Sequence, residues 1–211
     1  MTEIDSYYEA TPDSDRSLTA NWPSGIGALV YGQTFRPSLN YTLTSCKFNI
    51  KRGSIALTGN LKAYLYAHTG TFGSGGIPTG SSLDTSNSLD MSTITTSYVL
   101  YTFTFSGGHS LVSNTSYCLV VYSTDSNMSG SASCKIGAMS IGAHEGNGIR
   151  YLSVFGVFEA YSTTDVMFYV YGNLILPIIK TLPNLGIYGL DDTNEVYSKT
   201  KVDATGILQT S

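Results

Sequence analysis

The stretch Tyr31–Tyr66, YGQTFRPSLNYTLTSCKFNIKRGSIALTGNLKAYLY, decides the fold. Within Leu43–Lys51, apolar and polar residues alternate, which is typical of a strand with one buried face and one exposed face. The segment Arg52–Ser54 then breaks the pattern, and Asn60–Ala67 resumes it. One side of this second segment carries Leu61, Ala63, Leu65 and Ala67, and the other carries Lys62, Tyr64 and Tyr66. The stretch therefore predicts two strands of an antiparallel sheet.

The length predicts either one large all-β domain or one domain with a small appendage. The chain has 211 residues, of which 42% are hydrophobic and only 12% are charged. A chain of this length buries about 70% of its extended surface, so it needs neither disulfides nor metals to fold. The net charge is −4 and no run of basic residues is present, so nucleic acid is not expected as a partner. No membrane partner is expected either, because Leu174–Ile179 is too short to cross a bilayer.

Alternating segments farther along the chain predict the remaining strands. The clearest are Tyr98–Phe105, Asp165–Tyr171 and Ser116–Ser123, the last of which is apolar on both faces and is therefore predicted to be central. No segment has a sustained helical period with caps. Eight or nine strands separated by turns predict an all-β fold, an antiparallel β-sandwich of jelly-roll type. The predicted core contains Phe48, Ile50, Leu61, Leu65, Phe103, Phe105, Leu119, Val121, Phe168 and Val170.

The chain is predicted to have three parts. Residues 1–17 are polar and acidic and are expected to form an N-terminal arm, and residues 18–172 form the sandwich. Residues 173–211 are too few to hold a core of their own, so they are expected to form a small β extension on the sandwich or on a neighbouring subunit. Within the sandwich, His68–Ser97 is rich in Gly, Ser and Thr and is predicted to be a long connection.

No catalytic or cofactor-binding motif is present in the sequence. Cys46, Cys118 and Cys134 lack the spacing of a zinc site, and Cys118 lies in an apolar segment where a buried free thiol is expected. The three histidines are scattered and form no HExxH motif. The glycine-rich segment Gly75–Gly80 lacks the Lys that a phosphate-binding loop requires. The sequence therefore predicts no enzyme, no metal and no cofactor.

Tyrosine is the unusual feature of the composition, with 16 residues. Several tyrosines lie opposite the apolar residues of their strands. A flat apolar ring with a polar tip suits protein interfaces and sugar stacking alike. In the alternative, the rings face the core of the second sheet or lie beneath the long connection or the C-terminal segment. The candidate interface or glycan-facing residues are Tyr64, Tyr66, Tyr122, Tyr169 and Tyr171.

The order of the motifs is similar to that of a known group of modules. The resemblance spans about residues 28–172 and rests on GQTF, NYTLTSCKFNI, LKAYLYA, GGIPTG, YVLYTFTF, SYCLVVYS and TDVMFYVYG. These resemble jelly-roll modules of bacteriophage structural proteins, of decoration or fibre type, and of prokaryotic surface proteins. The resemblance implies a virion protein, either a capsid decoration, a head fibre or a tail-associated subunit, that assembles in the host cytoplasm. The alternative that it implies is a carbohydrate-binding module for host or surface glycans.

This interpretation places the partner contacts at the ends of the chain. The expected partners are other virion subunits, further copies of this chain and, in the alternative, a glycan. A free C-terminal segment would expose too much apolar surface for a soluble monomer, so we expect contacts to order it. The candidate tail anchor consists of Leu174, Ile175, Leu176, Ile178 and Ile179.

Overall fold

The computed structural model describes residues 1–8, 11–18, 29–123, 128, 132–140, 144–152, 157–176, 187–190, 197–202 and 208–209. The chain divides into two compact units, Met1–Ile175 and Leu176–Ser211. The first unit contains two antiparallel sheets and one 3-10 turn, Met91–Thr93. The predicted all-β fold with antiparallel sheets is thus confirmed, whereas the jelly-roll topology stays a prediction.

The described residues of the first unit form fifteen strands. In chain order they are β1 (Thr2–Tyr7), β2 (Ser14–Leu18), β3 (Leu29–Phe35), β4 (Tyr41–Arg52), β5 (Asn60–Thr69), β6 (Ile77–Thr85), β7 (Leu89–Asp90), β8 (Val99–Thr104), β9 (Ser110–Leu111), β10 (Tyr117–Tyr122), β11 (Cys134–Met139), β12 (Gly148–Leu152), β13 (Val157–Tyr161), β14 (Asp165–Val166) and β15 (Phe168–Leu174). The second unit has three, β16 (Ile187–Leu190), β17 (Tyr197–Val202) and β18 (Leu208–Gln209), which pair in that order.

The first sheet is built around β4, the longest strand. Its order is β1-β15-β4-β11-β14, with β8 and β9 paired to β4 and β2 paired to β11. The second sheet has the order β13-β12-β3-β10-β5-β6, and β7 pairs with β5. Every side chain of Tyr117–Val121 in β10 is buried, which confirms the predicted central strand.

The main core lies between the two sheets. All ten predicted core residues are buried, none more than 5% exposed. Phe168 on β15 pairs with Phe48 on β4, whose ring meets the edge of Phe103 at a centroid distance of 6.1 Å. Such an edge-to-face contact stabilises aromatic pairs beyond the burial of their area. Cys46, Cys118 and Cys134 are all free and buried.

The second sheet curls strongly. Tyr66 on β5 and Phe158 on β13 lie four strand spacings apart along the sheet, which is about 19 Å when a sheet is flat. Their ring centroids are nevertheless only 6.1 Å apart, and Cα atoms of the edge strands β13 and β6 approach within 8 Å. Within this sheet Gly32 lets β3 lie close to β10, because a Cβ atom there would lie 2.0 Å from the carbonyl oxygen of Leu119. The sheet therefore forms a half-barrel with its concave face turned away from the main core.

The predicted N-terminal arm is instead paired into the first sheet. Strand β1 pairs with β15, and β2 pairs with β11. Antiparallel pairing uses backbone groups, so a polar segment can supply an edge strand without a strong apolar pattern. Ile4 and Tyr7 pack against the main core, and Leu18 is fully buried.

The predicted long connection His68–Ser97 also differs from the structure. It contains the edge strand β6, the short strand β7 and the 3-10 turn. Strand β6 lacks an alternating pattern because five of its nine residues are exposed, as is usual at a sheet edge. Met91 and Ile94 at the end of this segment are buried and complete the core.

Candidate functional site

The concave face of the second sheet carries a cluster of aromatic rings. Cross-strand pairing places Tyr66 beside Cys118 and Tyr64 beside Val120, on the side opposite the main core. A second apolar cluster, made by Val30, Cys118, Val120 and Ile149, forms the floor of this face. The rings that cover this floor are Tyr64, Tyr66, Tyr122, Tyr151 and Phe158, and we refer to these five residues as the aromatic face.

The rings of the aromatic face contact one another. Tyr64 and Tyr122 stack with centroids 4.2 Å apart, and Tyr151 and Phe158 lie 4.8 Å apart. Burial, the nearby Tyr122 and a hydrogen bond between the two phenols raise the pKa of Tyr66 to about 12. Each of the five rings remains partly exposed. The face therefore offers flat apolar surfaces and neutral phenols to a ligand, but no charged group among these five.

The five predicted tyrosines do not form one surface. Tyr64, Tyr66 and Tyr122 belong to the aromatic face, as the alternating pattern predicts. Tyr169 and Tyr171 stack on the outer face of the first sheet, with ring centroids 6.0 Å apart. The sandwich separates the two groups, so at most three of these tyrosines can serve one ligand.

Three of the predicted tyrosines cover a separate apolar cluster. Tyr64, Tyr66 and Tyr122 do pack over an apolar cluster, but it lies on the concave face and not between the sheets. Tyr151 and Phe158 complete the face and were not among the predicted site residues. Their segment alternates only weakly, and their meeting with Tyr66 depends on the curl of the sheet.

The described part of the predicted tail anchor is exposed. Leu174 and Ile175 are 42% and 39% exposed, and Leu176 is 69% exposed. Ile175 donates a backbone hydrogen bond to the carbonyl oxygen of Asn40, which holds the end of this segment beside β4. Ile178 and Ile179 lie outside the described residues.

A buried polar network joins β1, β3 and β14. Gln33 donates to a carboxylate oxygen of Asp165 at 2.7 Å and accepts from the backbone N–H of Val166 at 2.9 Å. His144 lies between two acids: its backbone N–H donates to Asp165 at 3.1 Å, and its Nε2 lies 3.0 Å from Asp5. Burial raises the pKa of Asp165, although the hydrogen bonds from Gln33 and His144 oppose the rise.

The same network fixes the tautomer of His144. Its Nδ1 accepts from the backbone N–H of Gly146 at 3.0 Å, so the neutral ring carries its proton on Nε2 and donates to Asp5. Asp5 lies on β1, so its contact with His144 ties that strand to the segment before β12. We therefore assign this network to holding β1 against the sandwich.

No family model, curated protein or solved structure matches the chain. Among the described residues, no group of three or more His, Cys, Asp or Glu side chains could hold a metal ion. Within the same residues, no helix is long and apolar enough to span a membrane.

Proposed function

We propose that the chain is a non-enzymatic structural protein of a bacteriophage-like virion, with a jelly-roll sandwich. It acts as a capsid decoration, head-fibre or tail-associated subunit that assembles in the host cytoplasm and contacts other virion subunits and further copies of itself. The carrying observation is the run of exposed apolar side chains, Leu174, Ile175 and Leu176, at the C-terminal end of β15. Contiguous exposed apolar side chains on a protein surface mark sites of contact with a partner.

The second unit supports the same proposal. It comprises only residues 176–211, and its described residues form three short strands. Chains below about 40 residues rarely fold alone without disulfides, metals or oligomerisation. Each of the three cysteines lies in the first unit, so no disulfide can staple the second. Assembly with a partner is the source of stability that the proposal supplies.

Removal of residues 184–211 is expected to abolish attachment to the particle and leave the sandwich folded. The strands of the first unit close its core without these residues. Light scattering should report a smaller assembly for the shortened chain than for the full chain. Sedimentation with purified particles that contain the protein should report loss of binding. Full occupancy of particles by the shortened chain would instead assign attachment to a face of the sandwich.

A point substitution separates attachment from folding. Leu176→Asp in the full chain is expected to weaken assembly while changing the unfolding free energy by less than about 0.5 kcal/mol, because the side chain is mostly exposed. Leu39→Asp is the matched control, since Leu39 is also exposed and lies in the loop before β4. Equal weakening by both variants would point to a general charge effect.

A second candidate function is carbohydrate binding for attachment to host or surface glycans. The aromatic face favours it, because five partly exposed rings line one concave surface. Aromatic rings stack on the apolar faces of sugars, while phenols bond to sugar hydroxyls.

Substitution of one ring tests this candidate. A glycan array should first identify a neutral oligosaccharide that binds the full chain, and calorimetry should then measure its affinity. Tyr66→Ala is expected to weaken binding about tenfold, which corresponds to one stacking contact of about 1.4 kcal/mol. Tyr171→Ala, on the first sheet, should leave the affinity unchanged. An array without any bound glycan, or equal losses in both variants, would exclude the aromatic face as a glycan site.

A further inference from the structure

A cavity of about 350 Å³ lies beside the end of β4. It concentrates positive charge, although the whole chain is acidic, with a net charge of −4. The lining residues come from β4 and the turn after it, from the segment before β8, and from β11. They are Lys51, Arg52, Gly53, Ser54, Thr96 and Lys135.

Two of the cations are held side by side by the sheet register. Lys51 on β4 pairs directly with Lys135 on β11, so their side chains leave the same face of the sheet. Like charges directly opposite each other destabilise a sheet. Asp15 on β2 partly compensates, with carboxylate oxygens 3.1 Å from Lys51 Nζ and 2.8 Å from Lys135 Nζ.

Asp15 is strongly held in its ionised form. Partial burial would raise its pKa, but hydrogen bonds from Lys135, Tyr98 and Lys51 outweigh this and lower the pKa to about 2. Asp15 therefore stays negative at any ordinary pH. One carboxylate nevertheless serves two ammonium groups, which leaves one positive charge of the pair uncompensated.

Arg52 adds a third positive charge. Its guanidinium donates to three backbone carbonyl oxygens: Nε to Ile94 at 2.9 Å and Nη1 to Gly53 and Ser54 at 3.1 and 3.2 Å. In the part of the chain that the structure describes, no carboxylate lies within 4 Å of Arg52. Among the described residues, three cations line this cavity, and one carboxylate, that of Asp15, pairs with two of them.

We propose that this cavity binds an oxyanion, either free inorganic phosphate or the carboxylate of an acidic sugar. Lysine ammonium groups act as mobile charged donors, and charge-assisted hydrogen bonds to an oxyanion are about twice as strong as neutral ones. The hydroxyl groups of Ser54 and Thr96 line the same cavity and add neutral donors. The proposal is independent of the virion role and of the aromatic face, which lies on the other sheet.

Titration of the full chain with defined probes tests this proposal. Inorganic phosphate and glucuronate are the two probes, and glucose is the neutral counterpart of glucuronate. Lysine side-chain NMR signals and calorimetry at low salt should report saturable binding of at least one of the two anions and none of glucose. Binding of phosphate alone indicates a free-ion site, and binding of glucuronate indicates an acidic glycan.

Three variants separate binding from general charge. Lys135→Gln is expected to lower the affinity for the anion about fivefold, which is the upper range for the loss of one partly exposed ion pair. Lys47→Gln is the matched control, because Lys47 lies on the same strand but contacts the ring of Tyr171 instead of the cavity. Asp15→Asn is expected to tighten anion binding about fivefold, since it removes the competing carboxylate. If Asp15 had a purely structural role, Asp15→Asn would not bind the anion more tightly.

The outcomes decide the proposal even when one variant is unstable. Thermal unfolding of each variant shows whether it folds. If Asp15→Asn does not fold, the comparison of Lys135→Gln with Lys47→Gln is sufficient to test the proposal. Absence of saturable binding by both anions would overturn the proposal. Equal weakening in Lys135→Gln and Lys47→Gln would also overturn it, since it would show a diffuse charge effect.

Discussion

Substitution of Phe168 by Ala is expected to lower the free energy of unfolding by about 3–5 kcal/mol, the usual effect of removing a fully buried aromatic ring. Phe168 has no exposed surface and pairs with Phe48 at the centre of the first sheet. Its ring also meets the ring of His144 edge-on, at a centroid distance of 5.1 Å. The loss therefore combines burial, a cavity and one aromatic contact. Urea unfolding followed by circular dichroism measures it.

The neighbouring residue supplies the control for this prediction. Tyr169 follows Phe168 on β15, and its side chain leaves the opposite face of the sheet, where it stacks on Tyr171. Tyr169→Ala is expected to cost about 1 kcal/mol or less, as for most surface substitutions. A one-residue slip of the strand would exchange the two side chains. Similar losses in the two variants would therefore contradict the register.

Gln33→Leu is expected to destabilise the fold by about 4 kcal/mol, because each buried polar group left without a partner costs about 1–3 kcal/mol and a charged one more. Gln33 is fully buried, and its amide serves both the carboxylate of Asp165 and the backbone N–H of Val166. The double variant Gln33→Leu/Asp165→Leu should recover part of the loss, since it removes the unpaired charge as well. A loss below about 1 kcal/mol for the single variant would show that water replaces the amide.

The loss in Gln33→Leu should also depend on pH. Burial already holds the pKa of Asp165 above its ordinary value of 3.8, and loss of the Gln33 hydrogen bond raises it further. When the pKa of a carboxyl is higher in the folded protein than in the unfolded chain, the folded protein holds that proton more tightly. The free energy of unfolding therefore falls as the pH rises above 3.8, the ordinary pKa of Asp. The deficit of the variant should therefore be smaller at about pH 4.5 than at pH 7. An identical deficit at both pH values would mean that Asp165 does not titrate in this range.

Alternating segments were sufficient to predict the centre of the fold. Strands β4, β5, β8, β10 and β15 each contain a period-two pattern that burial on one or both faces imposes. The edge strands β1, β2 and β6 could not be predicted in this way. Their residues are mostly exposed or half-buried, and backbone pairing holds them, so selection for an apolar face is weak.

The candidate sites depend on distant register and on curvature. The pattern of β5 and β10 places Tyr64, Tyr66 and Tyr122 away from the core, and the structure agrees. Tyr151 and Phe158 join them because the sheet curls, a long-range effect that no local pattern encodes. The cluster of cations at the cavity could likewise not be predicted from the sequence, because the pairing of Lys51 with Lys135 depends on the register between β4 and β11.

The pairing of β1 with β15 has a consequence for synthesis on the ribosome. Thr2 pairs with Gly172 and Tyr7 pairs with Phe168, so the first strand of the chain has its sheet partner among the last strands of the unit. At about 5–20 residues per second, β1 waits roughly 8–35 s after its own synthesis for β15 to emerge. Such non-local closure also makes folding slow, on the scale of milliseconds to seconds once the chain is complete. Until then, the backbone groups of β1 are open to chaperones and to the strands of neighbouring nascent chains on the same message.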